Sequence, residues 1–225
     1  MIARTRSHRS GIVGAANARE FAPWFYSTKV DIPPQTHAVE HCLRITSAAA
    51  GLPFSTEDIC FPFGEGDQPA IGLPRSFVLV HPYSRGRGKT LDAASIDTLI
   101  EALSPAPVVL VGSRPKEMPV ATGPRLLDLC GRTSLGELLW LSRMAKGVIS
   151  VDSGPMHIAA AVNPNVIGIH TWSDPRMVGP YGTKPVVWKA GRICHRAEIS
   201  DDQAAIDSAP NSADLEAIAA QILEV

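Results

Sequence analysis

From residue 77 onward, short apolar runs alternate with longer amphipathic stretches. FVLVH (77–81), VVLVG (108–112), VISVD (148–152) and NVIGIH (165–170) show no polar alternation, the pattern of strands buried on both faces. Between them the helical spacing of apolar positions predicts helices over Leu91–Leu103, Ser134–Met144 and His157–Val162, with a terminal helix over Ser212–Leu223. Arg125–Leu129 and Val186–Trp188 complete the set as shorter strands. Strands and helices interleaved in this way define an α/β fold, a Rossmann-like parallel sheet covered on both faces.

The first third of the chain is less regular. Residues 11–14 read as a short buried strand, Ala16–Tyr26 as a short helix or turn, and Val30–Pro34 as an extended piece broken by proline. His37–Ala50 has helical periodicity and ends at Gly51, where a C-terminal cap belongs. From Pro53 to Arg75 the composition shifts to proline, glycine and acidic residues, which marks a connection and places a domain boundary near residue 75. Two segments follow, 1–75 and 76–225.

Composition narrows the function. Lysine plus arginine (21) nearly balance aspartate plus glutamate (22), so the broad positive field of a nucleic-acid binder is absent and any phosphate affinity must be local. The four cysteines (Cys42, Cys60, Cys130, Cys194) form no CxxC pair and have no histidine at ligand spacing. They read as free thiols, and no metal site is expected. No apolar run reaches the length of a membrane span. Arg4, Arg6 and Arg9 ahead of GIVGAANA imitate a secretory signal, but the apolar part is short and rich in glycine and alanine. A cytoplasmic location is expected.

In a sheet of this kind chemistry gathers at the carboxyl ends of the strands. After the first comes HPYSRGRGKT (81–90), whose glycines permit close backbone approach and whose Ser84 and Lys89 suit a diphosphate; the plainer reading is a solvated charged loop. After the second comes GSRPKE (112–117), where Glu117 suits a ribose diol or else starts a helix. After the third comes CGRTSLGE (130–137), in which Ser134 and Glu137 match a capping box and the backbone near Thr133 is free to read an adenine edge.

The fourth strand runs into Asp152-Ser153-Gly154-Pro155 and then a helix. Ser153 or Gly154 suits the N-cap and Pro155 the first turn, so amide groups and the positive end of a helix dipole meet the ligand region. Asp152 would be repelled by a diphosphate and is suited to sugar hydroxyls, while His157 in the first turn is expected neutral, packed or beside the ligand. A competing reading takes Gly88-Lys89-Thr90 as the end of a P-loop, but the first glycine of that motif falls at Tyr83.

DSGPMHIAAA (152–161), with Asp174-Pro175 and Gly179-Pro180-Tyr181-Gly182 downstream, resembles glycosyltransferase family 9, the ADP-heptose:lipopolysaccharide heptosyltransferases. The HPYSRGRGK loop and His37-Ala38-Val39-Glu40 fit the same pattern. The resemblance implies a GT-B architecture: residues 76–225 would be the nucleotide-sugar domain and residues 1–75 the last part of the acceptor domain. It implies an enzyme that carries heptose from an ADP-sugar to a lipid-linked lipopolysaccharide core by inverting, metal-independent displacement, with no cofactor beyond the donor. Ser84 and Lys89 would contact phosphates, Glu117 the ribose, Thr133 the adenine, and Asp152, Ser153, Gly154 and His157 the diphosphate and sugar. Lys89 and Asp152 would act in catalysis. The family's opening strand, with the aspartate proposed as general base, has no counterpart in this chain, and His170-Thr171-Trp172 stands where a glycine-containing turn is usual. The expectations therefore include peripheral contact with the inner membrane and a partner chain supplying the missing segment. The alternative is a nucleotide-sugar binding module without catalysis.

Overall fold

The computed structural model describes residues 5–7, 11–18, 21–57 and 59–224. Arg4, Arg9, Arg19 and Glu20, which entered the reading of the N-terminus, lie outside them. The chain divides into two compact units, Met1–Cys60 and Phe61–Val225.

In the first unit β1 (Thr5–Ser7) pairs antiparallel with β2 (Gly11–Ala15), which pairs in parallel with β3 (Thr28–Val30). The segment between β2 and β3 includes a 3-10 helix at Ala22–Phe25. Helix α1 (Ala38–Ala50) is closed at its start by the His37 ring, which accepts from the Val39 amide, and at its end by Gly51 at φ 69°. Ile45 of α1 packs with Val13, Ala15 and Ile32 to make this unit's small core.

In the second unit the parallel strands are β4 (Val78–His81), β5 (Val108–Leu110), β6 (Leu126–Asp128), β7 (Gly147–Val151), β8 (Val166–Ile169) and β9 (Val186–Lys189). A hairpin partner, β10 (Arg192–Cys194), is antiparallel to β9. Helices α2 (Ala93–Ala102), α3 (Leu135–Met144), α4 (Gly154–Val162), α5 (Pro175–Val178), α6 (Asp201–Ala204) and α7 (Ser212–Leu223) connect and flank them. The strand order is β10-β9-β8-β7-β4-β5-β6.

Alternate strand residues serve the two faces. Val78, Val80, Leu110, Ile149 and Ile167 pack with Ile96 and Leu99 of α2 and with Ile218 and Ile222 of α7. Leu79, Val109, Val148 and Val166 pack with Leu141 of α3 and Ala159 of α4. Both faces are covered, which is why the strands read as unbroken apolar runs.

The division between the units falls at Cys60, not near residue 75. Residues 61–75 form a strap on α3: the Asp67 amide donates to the Gly136 carbonyl at 3.0 Å and Arg143 donates to the Gly64 carbonyl at 2.9 Å. A side chain at Gly66, held at φ 84°, would lie 2.6 Å from the Gly136 oxygen. The glycine that suggested a linker is there because two backbones touch.

Candidate functional site

Chain order decides where the site lies. From β4 the chain moves through β5 to β6 on one side of the sheet, then returns to place β7 against the other side of β4. That reversal makes the carboxyl ends of β4 and β7 the switch point of the sheet, the usual ligand position in an open α/β sheet. The loop 82–90 and the turn Asp152–Gly154 both end there, and the turn after β8, residues 170–173, lies beside them.

The turn after β7 begins helix α4 as the sequence suggests, with proline in the first turn. Ser153 stands at the N-cap yet makes no capping hydrogen bond. Its hydroxyl lies 3.2 Å from Nδ1 of His81 and 3.4 Å from the Ser150 hydroxyl, which itself donates to the Val151 carbonyl. With Ser153 drawn away, no capping side chain blocks the helix start. Gly154 is exposed, and a methyl group there would meet nothing within 4 Å. The fold does not need glycine at this position; a ligand lying against the backbone would.

Lys89 closes the other side. Its ammonium donates to Asp152 Oδ2 at 2.5 Å, and the Ser84 hydroxyl donates to the Asp152 carbonyl at 3.3 Å, so loop and turn are joined directly. Burial works against the Asp152 charge, but hydrogen bonds from Lys89 and Ser173 and the charge of Lys89 outweigh it and hold the carboxyl below its ordinary value. His170, wholly buried, has Nδ1 3.0 Å from the Ser173 hydroxyl and 4.0 Å from Asp152. Burial lowers His170 to about 4 despite the nearby carboxylate, and it lowers His81 to about 4 as well. His157 is also lowered, with burial as the first cause.

The ends of β5 and β6 form an adjoining cluster. Arg114 is ion-paired with Asp128, and the Gly131 amide donates to the Gly112 carbonyl at 2.8 Å. Burial pushes the nearby Cys130 thiol up to about 12, which keeps it protonated. Glu117 is exposed in a turn, and no helix starts there, because the chain runs from β5 to β6 without one. Thr133 is half-buried just before Ser134, which forms the expected capping box with Glu137. Tyr83 is buried in the core where a P-loop would need glycine, so the phosphate cradle of that reading does not form.

Ser84, Lys89, Asp152, Ser153 and Gly154 thus converge, His157 follows within the first turn of α4, and Glu117 and Thr133 lie in the loops that follow β5 and β6. Sequence reasoning missed the roles of His81, His170, Ser173 and Trp172. Three of these directly follow β8, and their position after a buried strand was the available signal. A separate cavity of about 420 Å³ lies between α2 and residues 118–126. Asp97, Glu101 and Arg125 line it.

The second unit is thus a Rossmann-like domain with an uncapped helix start and a lysine at the switch point of its sheet. The chain belongs to glycosyltransferase family 9 (heptosyltransferase), whose family model matches residues 1–204. It is 31% identical over 130 residues to lipopolysaccharide heptosyltransferase 3 of Escherichia coli, covering 53% of this chain and 38% of that protein. In fold it is similar to E. coli heptosyltransferase WaaC with ADP (TM-score 0.57, 21% identity, 76% of this chain and 56% of that one). It is also similar to a family 9 glycosyl transferase from Veillonella parvula DSM 2008 (TM-score 0.63, 15% identity, 91% and 65%). The chain spans less than two thirds of the length of each. Among the described residues no helix is long and apolar enough to cross a membrane.

Proposed function

We propose that the β4–β7 switch point binds the diphosphate of an ADP-sugar, and that this chain carries the donor site of a heptosyltransferase. The observation that carries the reading is the convergence of Lys89 with an uncapped α4 start at Gly154. In the free protein Asp152 is the counter-ion of Lys89. When a diphosphate draws Lys89 away, the carboxylate is released to accept from hydroxyls of the donor sugar. Ser84 serves the phosphates with Lys89, Glu117 the ribose, and the backbone at Thr133 the adenine. Ser153, Gly154 and His157 line the diphosphate and sugar.

In the transfer, an acceptor hydroxyl oxygen bonds to the anomeric carbon from the face opposite the leaving group. The bond from that carbon to the diphosphate oxygen breaks, and ADP departs with its electron pair. Lys89 and the α4 amides stabilise the charge on ADP, so no metal is needed for that purpose. The hydroxyl proton passes to a base of the acceptor domain. The acceptor is a lipid-linked lipopolysaccharide core, reached from the cytoplasmic face of the inner membrane.

Titration calorimetry with ADP and with an intact ADP-sugar tests the site. Lys89→Ala is expected to weaken binding of both ligands, and Asp152→Ala binding of the intact ADP-sugar, by roughly tenfold or more, the scale of a charge-assisted contact, while cooperative unfolding persists. Unchanged affinity in both variants refutes the site. Release of ADP in the presence of a lipid A–Kdo acceptor tests turnover, and binding without release identifies a nucleotide-sugar binding module.

A further inference from the structure

Lys89 sits on a loop with glycine at 86 and 88, and a loop of that composition does not hold an ammonium in one place by itself. Its base is closed by Thr90, whose hydroxyl donates to the Ser84 carbonyl and accepts from the Ser84 amide, both at 3.0 Å. Its tip is held from elsewhere. The Thr171 hydroxyl donates to the Gly88 carbonyl at 2.9 Å, and Nε1 of Trp172 donates to the Arg87 carbonyl at 2.9 Å. The Lys89 ammonium lies over the Trp172 ring, 4.5 Å from its centroid.

The turn that holds the tip is itself held from below. Lys189, at the end of β9, is 0% exposed, and its ammonium donates to the Thr171 carbonyl at 2.9 Å. The Ser208 amide donates to the same oxygen at 3.2 Å. Burying an ammonium costs free energy that the Thr171 carbonyl and the fields of Asp207 and Asp174 return only in part, since burial still outweighs them, and an apolar side chain of similar length would fill the space more cheaply. The expense makes sense where the charge fixes a turn that must not drift.

We propose that Lys189, through Thr171 and Trp172, is a positioning residue that sets the Lys89 loop at the height of the α4 N-terminus, ready for a diphosphate. The inference rests on the donor-site reading above and adds to it residues outside that site. Trp172 has a second part: its ring shares the Lys89 cation with Asp152 in the free protein and loses it when the cation turns to phosphate.

The test uses Thr171→Val, which keeps the shape and removes the hydroxyl, with Thr171→Ser as the conservative rescue and Lys189→Met and Trp172→Phe beside them. Thr171→Val is expected to weaken ADP binding about fivefold, within the range of one neutral hydrogen bond, and Lys189→Met about tenfold. Thr171→Ser is expected to bind like the unaltered protein. Amide hydrogen exchange at residues 85–89 is expected to quicken in Thr171→Val and Lys189→Met without ADP, at unchanged exchange in β4 and β7. ADP is expected to change the indole emission of the unaltered protein, a change lost in Trp172→Phe. If the unaltered protein binds ADP while Thr171→Val and Lys189→Met bind it equally well and exchange at 85–89 is unchanged, the positioning role is overturned alone. If Lys189→Met does not fold, the valine and serine pair decides. If the unaltered protein binds no ADP, the donor-site reading falls and takes this role with it.

Discussion

Lys89 and Asp152 are 63 residues apart in the chain and share a proton-bearing contact of 2.5 Å. Each is suited to a different part of a nucleotide sugar, and each is occupied by the other when no ligand is bound. The same economy appears at His81 and His170, which are buried neutral bases and not free cations. Both are held at about 4 by burial, against 6.5 for an exposed histidine. In the interval between those values the unfolded chain binds more protons than the folded one, so stability rises with pH there. It is complete above about 6.5 and declines as the pH falls toward about 4, where the loss from these two groups levels off. Denaturant unfolding followed across this range is expected to show that slope, and His81→Asn is expected to flatten it.

Two glycines separate local need from ligand need. Gly112 lies at φ 114°, and a side chain there would lie 2.7 Å from the His81 ring. Gly112→Ala is therefore expected to destabilise the fold by about 1–3 kcal/mol, read from a lowered melting temperature. Gly154 has neither constraint. Gly154→Ala is expected to leave the melting temperature nearly unchanged while weakening ADP binding, because the added methyl stands where the phosphate approaches.

At the scale of elements, helix starts in this protein are of two kinds. α3 and α7 begin with complete capping boxes, Ser134 with Glu137 and Asn211 with Asp214. α2 begins with Asp92, whose carboxylate accepts from the Ser95 amide at 2.8 Å. Those helices are sealed. α4 has a serine in the capping position that bonds elsewhere, so its N-terminus remains open. Ser134→Ala is expected to cost about 1 kcal/mol of stability, a typical cap loss, with no change in ADP affinity. An equal loss of affinity would mean that the α3 start, not α4, meets the phosphates.

These elements were legible in the sequence to different degrees. The α3 capping box, the Gly51 cap and the strand-turn-helix at Asp152 follow from short-range rules that residue spacing exposes. β10, α5 and α6 were not legible, because three- and four-residue elements contain too little periodicity to register. The strap at 61–75 misled for a related reason. Its glycines and prolines look like a linker whether or not they lie against a helix.

At the scale of the molecule, the arrangement of β4 between β5 and β7 brings the whole site together. Since the site belongs wholly to residues 61–225, ADP is expected to raise the thermal stability of that unit. At a hundredfold excess over its dissociation constant the gain is about 2.7 kcal/mol, and Lys89→Ala is expected to reduce it in proportion to the lost affinity. Protection from hydrogen exchange should appear at 82–90 and 152–157 and not in β1–β3. Protection confined to the cavity beneath α2 would move the site.

The sequence by itself determined the parallel sheet, its helices and the loops able to meet a phosphate, because apolar periodicity, caps and turn residues act over a few positions. It also showed Lys89 and Gly154 as separate possibilities. Only the tertiary structure decided that Lys89 pairs with Asp152, two residues before Gly154, that Ser153 is drawn off its cap by His81, and that a buried Lys189 steadies Thr171 and Trp172 against the Lys89 loop. Those contacts join residues 18 to 85 positions apart. They exist because β4, β7, β8 and β9 lie side by side, an order that no local pattern in the chain records.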